Sequence, residues 1–278
     1  LLMEKLERSG LVTMVGKVNM DRNSHVDLEE ESAAQSIADT RKWLEDIKGR
    51  YENTMPILTP RFLPSCTDEL MRGISALQKE TGLAVQSHLS ENQSECAWVR
   101  ELCPGTESNG DAYDRCGLFG GNVKTVMAHC VWSDKAEMEL MRARGVYMAH
   151  CPQSNMNLSS GIAPVRKFLD KGIPVGLGSD VAGGCHPSIF RAMTDAIQAS
   201  KMHWRLVDEQ DAPLTLAEAF YLATVGGGSF FGKVGSFAEG YELDAVVIDD
   251  ASIATVEPLA IEDRLARVAY LSDDRNIK

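Results

Sequence analysis

The chain has 278 residues, 44% of them hydrophobic, and a formal charge of -12, enough for one large α/β domain or two smaller ones with a sizeable core. Its basic residues are scattered rather than gathered into a stripe, which argues against nucleic acid as a partner, and no apolar run reaches the roughly 18 residues that span a bilayer, which argues against a membrane. The seven cysteines contain no C-x-x-C pair, which speaks against a disulfide framework or a thiolate zinc site and for a reducing, cytoplasmic setting.

The first ten residues read as the last turns of an amphipathic helix closed by Gly10, without an initiator Met, and the expectation is a piece of a longer protein. Residues 11–18 predict a strand. The acidic segment 27–47, apolar at Ile37, Trp43, Leu44 and Ile47, predicts a helix, and 55–59 the next strand. Residues 65–68 have capping-box spacing ahead of a helix with Leu70, Ile74 and Leu77 on one face, stopping at Gly82. An apolar run then ends abruptly in Ser87-His88-Leu89-Ser90-Glu91-Asn92. Strands over 124–128, 146–149 and 173–177 alternate with helices over 133–144 and 164–171, and a longer helix covers 188–203.

Six apolar strands separated by helical spacers are the pattern of parallel βα units. The expected fold is α/β: an incomplete (β/α)8 TIM-like barrel over residues 1–231, its first two βα units absent. Residues 232–278 follow as part of a small C-terminal β-sandwich, with a short strand ending near Ile248. A doubly wound open sheet is the competing architecture.

The strand ends carry the chemistry. His88, His129 and His150 stand at the ends of three successive strands and Asp180 follows a fourth, at the rim where parallel α/β folds place their sites. Imidazole nitrogen and carboxylate oxygen suit a catalytic zinc or iron(II), which makes hydroxide available near neutral pH. Glu91, three residues past His88, is then placed to shuttle the water's proton. Two alternatives stay open: Asp180 as the cap of the next turn, and Glu91 as a first-turn helix carboxylate. His150 reads as a residue supporting the ligands or as a structural one, and His25, His186 and His203 carry no role. Arg61 and Phe62 offer a guanidinium and a ring to a flat, acceptor-bearing ligand, or an anchor for their loop. The run Gly226-Gly227-Gly228 reads as a helix end or close packing, since no Lys-Ser/Thr follows it.

Taken together, TPRF (59–62), QSHLSEN (86–92), VMAHC (126–130), AHCPQSN (149–155), GLGSDVAGG (176–184) and LSDDRNI (271–277) resemble the guanine deaminases of the amidohydrolase superfamily. The H-x-x-E and SDV motifs are shared with other members; the Pro-Arg-Phe element is more particular. The resemblance implies hydrolysis of guanine to xanthine and ammonia by a metal-activated water, with one divalent metal, zinc or iron, held by His88 and Asp180. It implies Glu91, His129 and Asp180 as the catalytic set, His129 orienting the water where the residues alone suggest a ligand. It also implies Arg61, Phe62, His88 and Glu91 about the purine, and a homodimer. The family's His-x-His pair has no counterpart here, because the sequence contains no H-x-H, so the chain is expected to hold about half a metal site. Another amidohydrolase, of the adenosine deaminase or chlorohydrolase type, and a non-catalytic binding or scaffold relative are the alternatives.

Overall fold

The structure, a computed structural model, describes residues 1–278. It forms two compact units, Leu1–Ala128 with Ser133–Val146, and His129–Trp132 with Tyr147–Lys278.

The first unit opens with α1 (Leu2–Ser9), stopped by Gly10 at φ 76°. The strand expected over 11–18 forms as two short pieces, β1 (Thr13–Val15) and β2 (Val18–Asn19). After α2 (Ala33–Ile47) come β3 (Thr54–Pro56) and β4 (Thr59–Pro60), paired in parallel with β1 and β2 respectively. The break falls at Gly16, where a Cβ would lie 1.8 Å from Thr59 Oγ1. The Ile57 carbonyl oxygen would lie 2.6 Å from the same Cβ, too close for any side chain, and the ladder resumes in the same register after Lys17 and Leu58. α2 starts later than the acidic pattern suggests because Ser32 caps it, accepting the Gln35 N–H at 3.1 Å. Glu30 is drawn instead to Lys17, the Met20 N–H (3.0 Å) and the Ser36 hydroxyl (2.6 Å).

α3 (Asp68–Thr81) is capped by Thr67 rather than Ser65, which lies in the 3-10 turn Leu63–Ser65. Its face of Leu70, Ile74 and Leu77 is buried as expected. β5 (Val85–Leu89) joins the preceding strands through a parallel bridge from Leu58 to Val85. Two helices not singled out from the sequence follow, α4 (Gln93–Leu102) and α5 (Asn109–Arg115). The buried positions of α4 are Val99 and the carboxylate of Glu95, so an apolar stripe does not announce it. β6 (Thr125–His129) neighbours β5 and leads to α6 (Lys135–Arg144).

In the second unit β7 (Tyr147–His150) and β8 (Val175–Leu177) are parallel neighbours, His150 opposite Leu177, and α7 (Pro152–Asn157) and α8 (Val165–Asp170) intervene in sequence. α9 (Ile189–Leu206) and α10 (Leu216–Tyr221) follow, α10 running into one π turn, Leu222–Gly226. A Cβ on Gly176 would lie 2.8 Å from Gly227 Cα; the glycine run serves close packing of this helix on β8. The strand expected near Ile248 does not form. Ile248 makes a single antiparallel bridge with Ile277, and Val246 and Val247 stay exposed, because residues 276–278 alone lie beside them. α11 (Ile261–Leu271) occupies part of the remaining segment. The fold is thus α/β with parallel strand pairs, and no helix is long and apolar enough to cross a membrane.

Candidate active site

In the first unit β5 carries His88 to its rim as the penultimate strand residue, half-buried. Its Nδ1 lies 2.6 Å from the Arg61 carbonyl. A carbonyl only accepts, so Nδ1 holds the proton and Nε2 keeps the lone pair that a metal ligand needs. Ser87 Oγ donates to the Pro60 carbonyl at 2.7 Å and Tyr113 Oη to the His88 carbonyl at 3.1 Å, fixing this stretch of strand. The Phe62 ring stands edge-on to His88, centroids 6.4 Å apart, and the Arg61 guanidinium lies 5.7 Å over the Phe62 ring. The other side-chain neighbour of Arg61 is Met20 sulfur at 3.9 Å. Arg61 is exposed and has no carboxylate partner; its backbone anchors the loop, through Asn19 and His88, while its guanidinium is available to an acceptor.

Glu91 precedes α4. Asn92 caps that helix, its Oδ1 accepting the Glu95 N–H at 2.9 Å, so Glu91 is not a first-turn carboxylate. The turn before it is unusual, with Ser90 at φ 47°. Ser90 Oγ donates to Glu137 Oε2 at 2.8 Å, and the Glu91 N–H donates to Glu95 Oε2 at 2.7 Å. Burial pushes the Glu95 carboxyl up to about 7, the nearby charge of Glu91 adding to it, and burial raises Glu137 as well.

In the second unit His129 ends β6 at φ 73°, Cys130 follows at 51°, and Asp180, three residues past β8, has φ 47°. Left-handed backbone at non-glycine residues costs on the order of 1–3 kcal/mol each and collects at functional sites. His129 Nδ1 lies 2.8 Å from Asn155 Oδ1, which directs the Nε2 lone pair to Asp180 Oδ2, 4.0 Å away. The donor atoms of His129, Cys151 and Asp180 all lie within 4.8 Å of one another. The nitrogen and oxygen donors of this cluster fit a divalent ion. Cys151 gave no signal in the sequence, being a cysteine without a second at metal-binding spacing. Its thiol donates to the Ala149 carbonyl at 3.6 Å.

Asp180 is held by its own loop: its carbonyl accepts the Gly184 N–H at 2.6 Å, serving the turn, while its carboxylate serves the cluster. α7 ties that loop down. Gln153 Oε1 accepts the N–H groups of Cys185 (2.7 Å) and His186 (3.2 Å), and Asn157 Nδ2 donates to the Gly183 carbonyl at 2.8 Å. His150 ends β7, is buried, and its Nδ1 has no partner; burial first, then the nearby His129, lowers it to about 3 and keeps it neutral. Of the residues picked from sequence, the first unit thus groups Arg61, Phe62 and His88, and the second groups His129 with Asp180.

The family model described as "Amidohydrolase family" matches residues 1–278. The guanine deaminase of Dictyostelium discoideum is 41% identical over 285 residues, covering 100% of this chain and 62% of that protein; the chain spans about three fifths of the length of that curated relative. The crystal structure of guanine deaminase from C. acetobutylicum with bound guanine superposes with a TM-score of 0.94 at 47% identity, covering 99% of this chain and 65% of that one. An adenosine deaminase from Xanthomonas campestris with bound zinc has a TM-score of 0.83 at 20% identity, over 99% of this chain and 60% of that one, a likeness of fold alone.

Proposed function

The chain belongs to the amidohydrolase family, its whole length matching that family's model, and from that premise we propose that the protein hydrolyses guanine to xanthine and ammonia. The observation that carries this reading is the group formed by Arg61, Phe62 and His88. A guanidinium without a carboxylate partner and an aromatic ring stand beside an imidazole whose tautomer is set by the Arg61 carbonyl itself. A planar, acceptor-bearing base suits that pairing of fork and ring.

One divalent ion, zinc or iron, belongs to the proposal, with His88 and Asp180 among its ligands. When bound, such an ion brings the pKa of a coordinated water toward neutrality. Glu91 accepts a proton from the attacking water and returns it to the ring nitrogen beside C2. A second transfer goes to the amino group, which leaves as ammonia while a C2–O bond replaces the C2–N bond. His129, its Nδ1 committed to Asn155, offers Nε2 to orient the water. Arg61 holds an acceptor on the purine edge, and Phe62 packs on the base.

The parallel pairs β1–β3, β2–β4 and β7–β8 support the reading of residues 1–231 as part of a (β/α)8 barrel; over 232–278 a single bridge, Ile248 with Ile277, and α11 stand where a β-sandwich segment is expected. Seven cysteines without a C-x-x-C pair suit a cytoplasmic protein, and the homodimer is proposed from the family resemblance. The test uses the full-length gene product, loaded with zinc and given guanine or adenosine. Xanthine and ammonia from guanine alone are expected; a zinc-loaded protein that leaves guanine unchanged overturns the reading.

A further inference from the structure

We propose that Glu95, a buried carboxylate on α4, is a positioning residue for Glu91, fixing the backbone of the Ser90-Glu91 turn from which the Glu91 side chain departs. The inference rests on the reading of Glu91 as the proton-transferring group.

The contact departs from ordinary helix capping. In a capping box the carboxylate of the third helical residue takes the N–H of the cap itself. Asn92 is the cap and Glu95 the third residue; besides the pull of the Asn92 N–H on its carboxylate, Glu95 Oε2 reaches one residue further, to the Glu91 N–H at 2.7 Å. Its other oxygen accepts from Asn109 Nδ2, at 3.2 Å, on the first residue of α5. Glu137 repeats the arrangement in parallel. Oε2 accepts from Ser90 Oγ at 2.8 Å, and Oε1 from the Gly110 N–H at 2.7 Å. The two acids therefore form two struts, each running from the Ser90-Glu91 turn to the start of α5.

The struts are costly by design. Glu95 and Glu137 are 5% and 1% exposed, burial raises the cost of ionising both, and the Glu137 charge adds to that cost at Glu95. A Cβ on Gly110 would lie 2.8 Å from Phe119 Cζ and 3.1 Å from Glu137 Cγ, so the approach also demands glycine there. Helix ends are satisfied more cheaply by serine, threonine or asparagine. Two buried carboxylates on one turn make sense where that turn must hold a proton-transferring side chain within a fraction of an ångström, since small misplacements can cost about 100-fold in rate.

The test uses the zinc-loaded full-length protein and xanthine formation. Glu95→Met fills the same space without an acceptor and is expected to lower kcat by about 10- to 100-fold. KM for guanine and zinc content should stay within about twofold, as no substrate or metal contact is removed. Glu95→Gln keeps an acceptor for Glu91 and should retain kcat within about threefold. In the Glu91→Gln background Glu95→Met should lower kcat no further, because the strut acts only through Glu91. Asn109→Ala, which removes the far anchor, should give a smaller loss confined to kcat, and decides the matter if Glu95→Met does not fold. Unchanged kcat in Glu95→Met, or in Asn109→Ala where it must stand in, overturns the proposal. So does an undiminished effect of Glu95→Met on top of Glu91→Gln, or an insoluble Glu95→Gln. A wild-type protein that makes no xanthine instead fails the deaminase reading, and this role with it.

Discussion

His150 gives the sharpest measurable consequence of burial. It is 1% exposed, its Nδ1 has no hydrogen-bond partner, and its pKa falls from 6.5 to about 3. The unfolded chain takes up a proton at this residue near pH 6.5 while the folded chain refuses it until about pH 3. Its contribution to stability is therefore whole above pH 6.5 and is lost progressively as pH falls toward 3. By pH 5 the loss amounts to about 2 kcal/mol, a figure set by the unfolded value and nearly independent of how far below pH 5 the folded group titrates. Urea unfolding of the zinc-loaded full-length protein, followed by tryptophan fluorescence at pH 8 and pH 5, measures it against His150→Gln. The other titratable groups, carboxylates and histidines, are common to both proteins, so the wild type should lose about 2 kcal/mol more than the variant over that interval. Equal losses, within about 0.5 kcal/mol, would refute the argument that this imidazole is buried neutral.

Glu91→Gln should retain zinc, measured by atomic absorption, and lose at least about 100-fold in kcat, as expected on removing a general acid/base. Arg61→Met should raise KM for guanine by about 10-fold or more at unchanged zinc content, the loss of a charge-assisted hydrogen bond; an unchanged KM removes Arg61 from the pocket. Gly184→Ala places a Cβ 2.1 Å from the Ser179 carbonyl oxygen. The loop must then shift beside Asp180, and thermal stability should fall by about 1–3 kcal/mol with a parallel drop in bound zinc. Dialysis against a zinc chelator should abolish xanthine formation and zinc should restore it; full activity at a zinc and iron content near zero would contradict the metal requirement.

The alternation of strand and helix was legible because buried parallel strands stay apolar until they leave the sheet, and His88, His129 and Asp180 stood out as polar groups at those exits. Their neighbours were not legible. Glu95 and Glu137 have the pattern of solvent-facing helical acids, and their burial depends on donors from Asn109 and Gly110, distant in sequence. Thr67 and Ser65 are both capping residues, and the choice between them turns on Asp21, whose carboxylate accepts the Thr67 N–H at 2.8 Å. The break at Gly16 likewise depends on Thr59 arriving alongside it. The strand expected near Ile248, after the turn residues that precede it, needs a neighbour to form a ladder, and the structure supplies one bridge, to Ile277.

Backbone strain singles out the same residues from another direction. The chain has six non-glycine residues at positive φ, namely Asn23, Ser90, His129, Cys130, Ser159 and Asp180. Four of them, Ser90, His129, Cys130 and Asp180, end strands β5, β6 and β8 or follow them within three residues. Glycine would adopt these angles at little cost, yet it would delete the side chains at issue. Ser90 needs its hydroxyl for Glu137, His129 its imidazole between Asn155 and Asp180, and Asp180 its carboxylate for the cluster. Strain and buried charge would be spread over ordinary turns if they served folding alone. Their concentration at the strand exits follows from the need to keep particular side chains in conformations that the backbone resists.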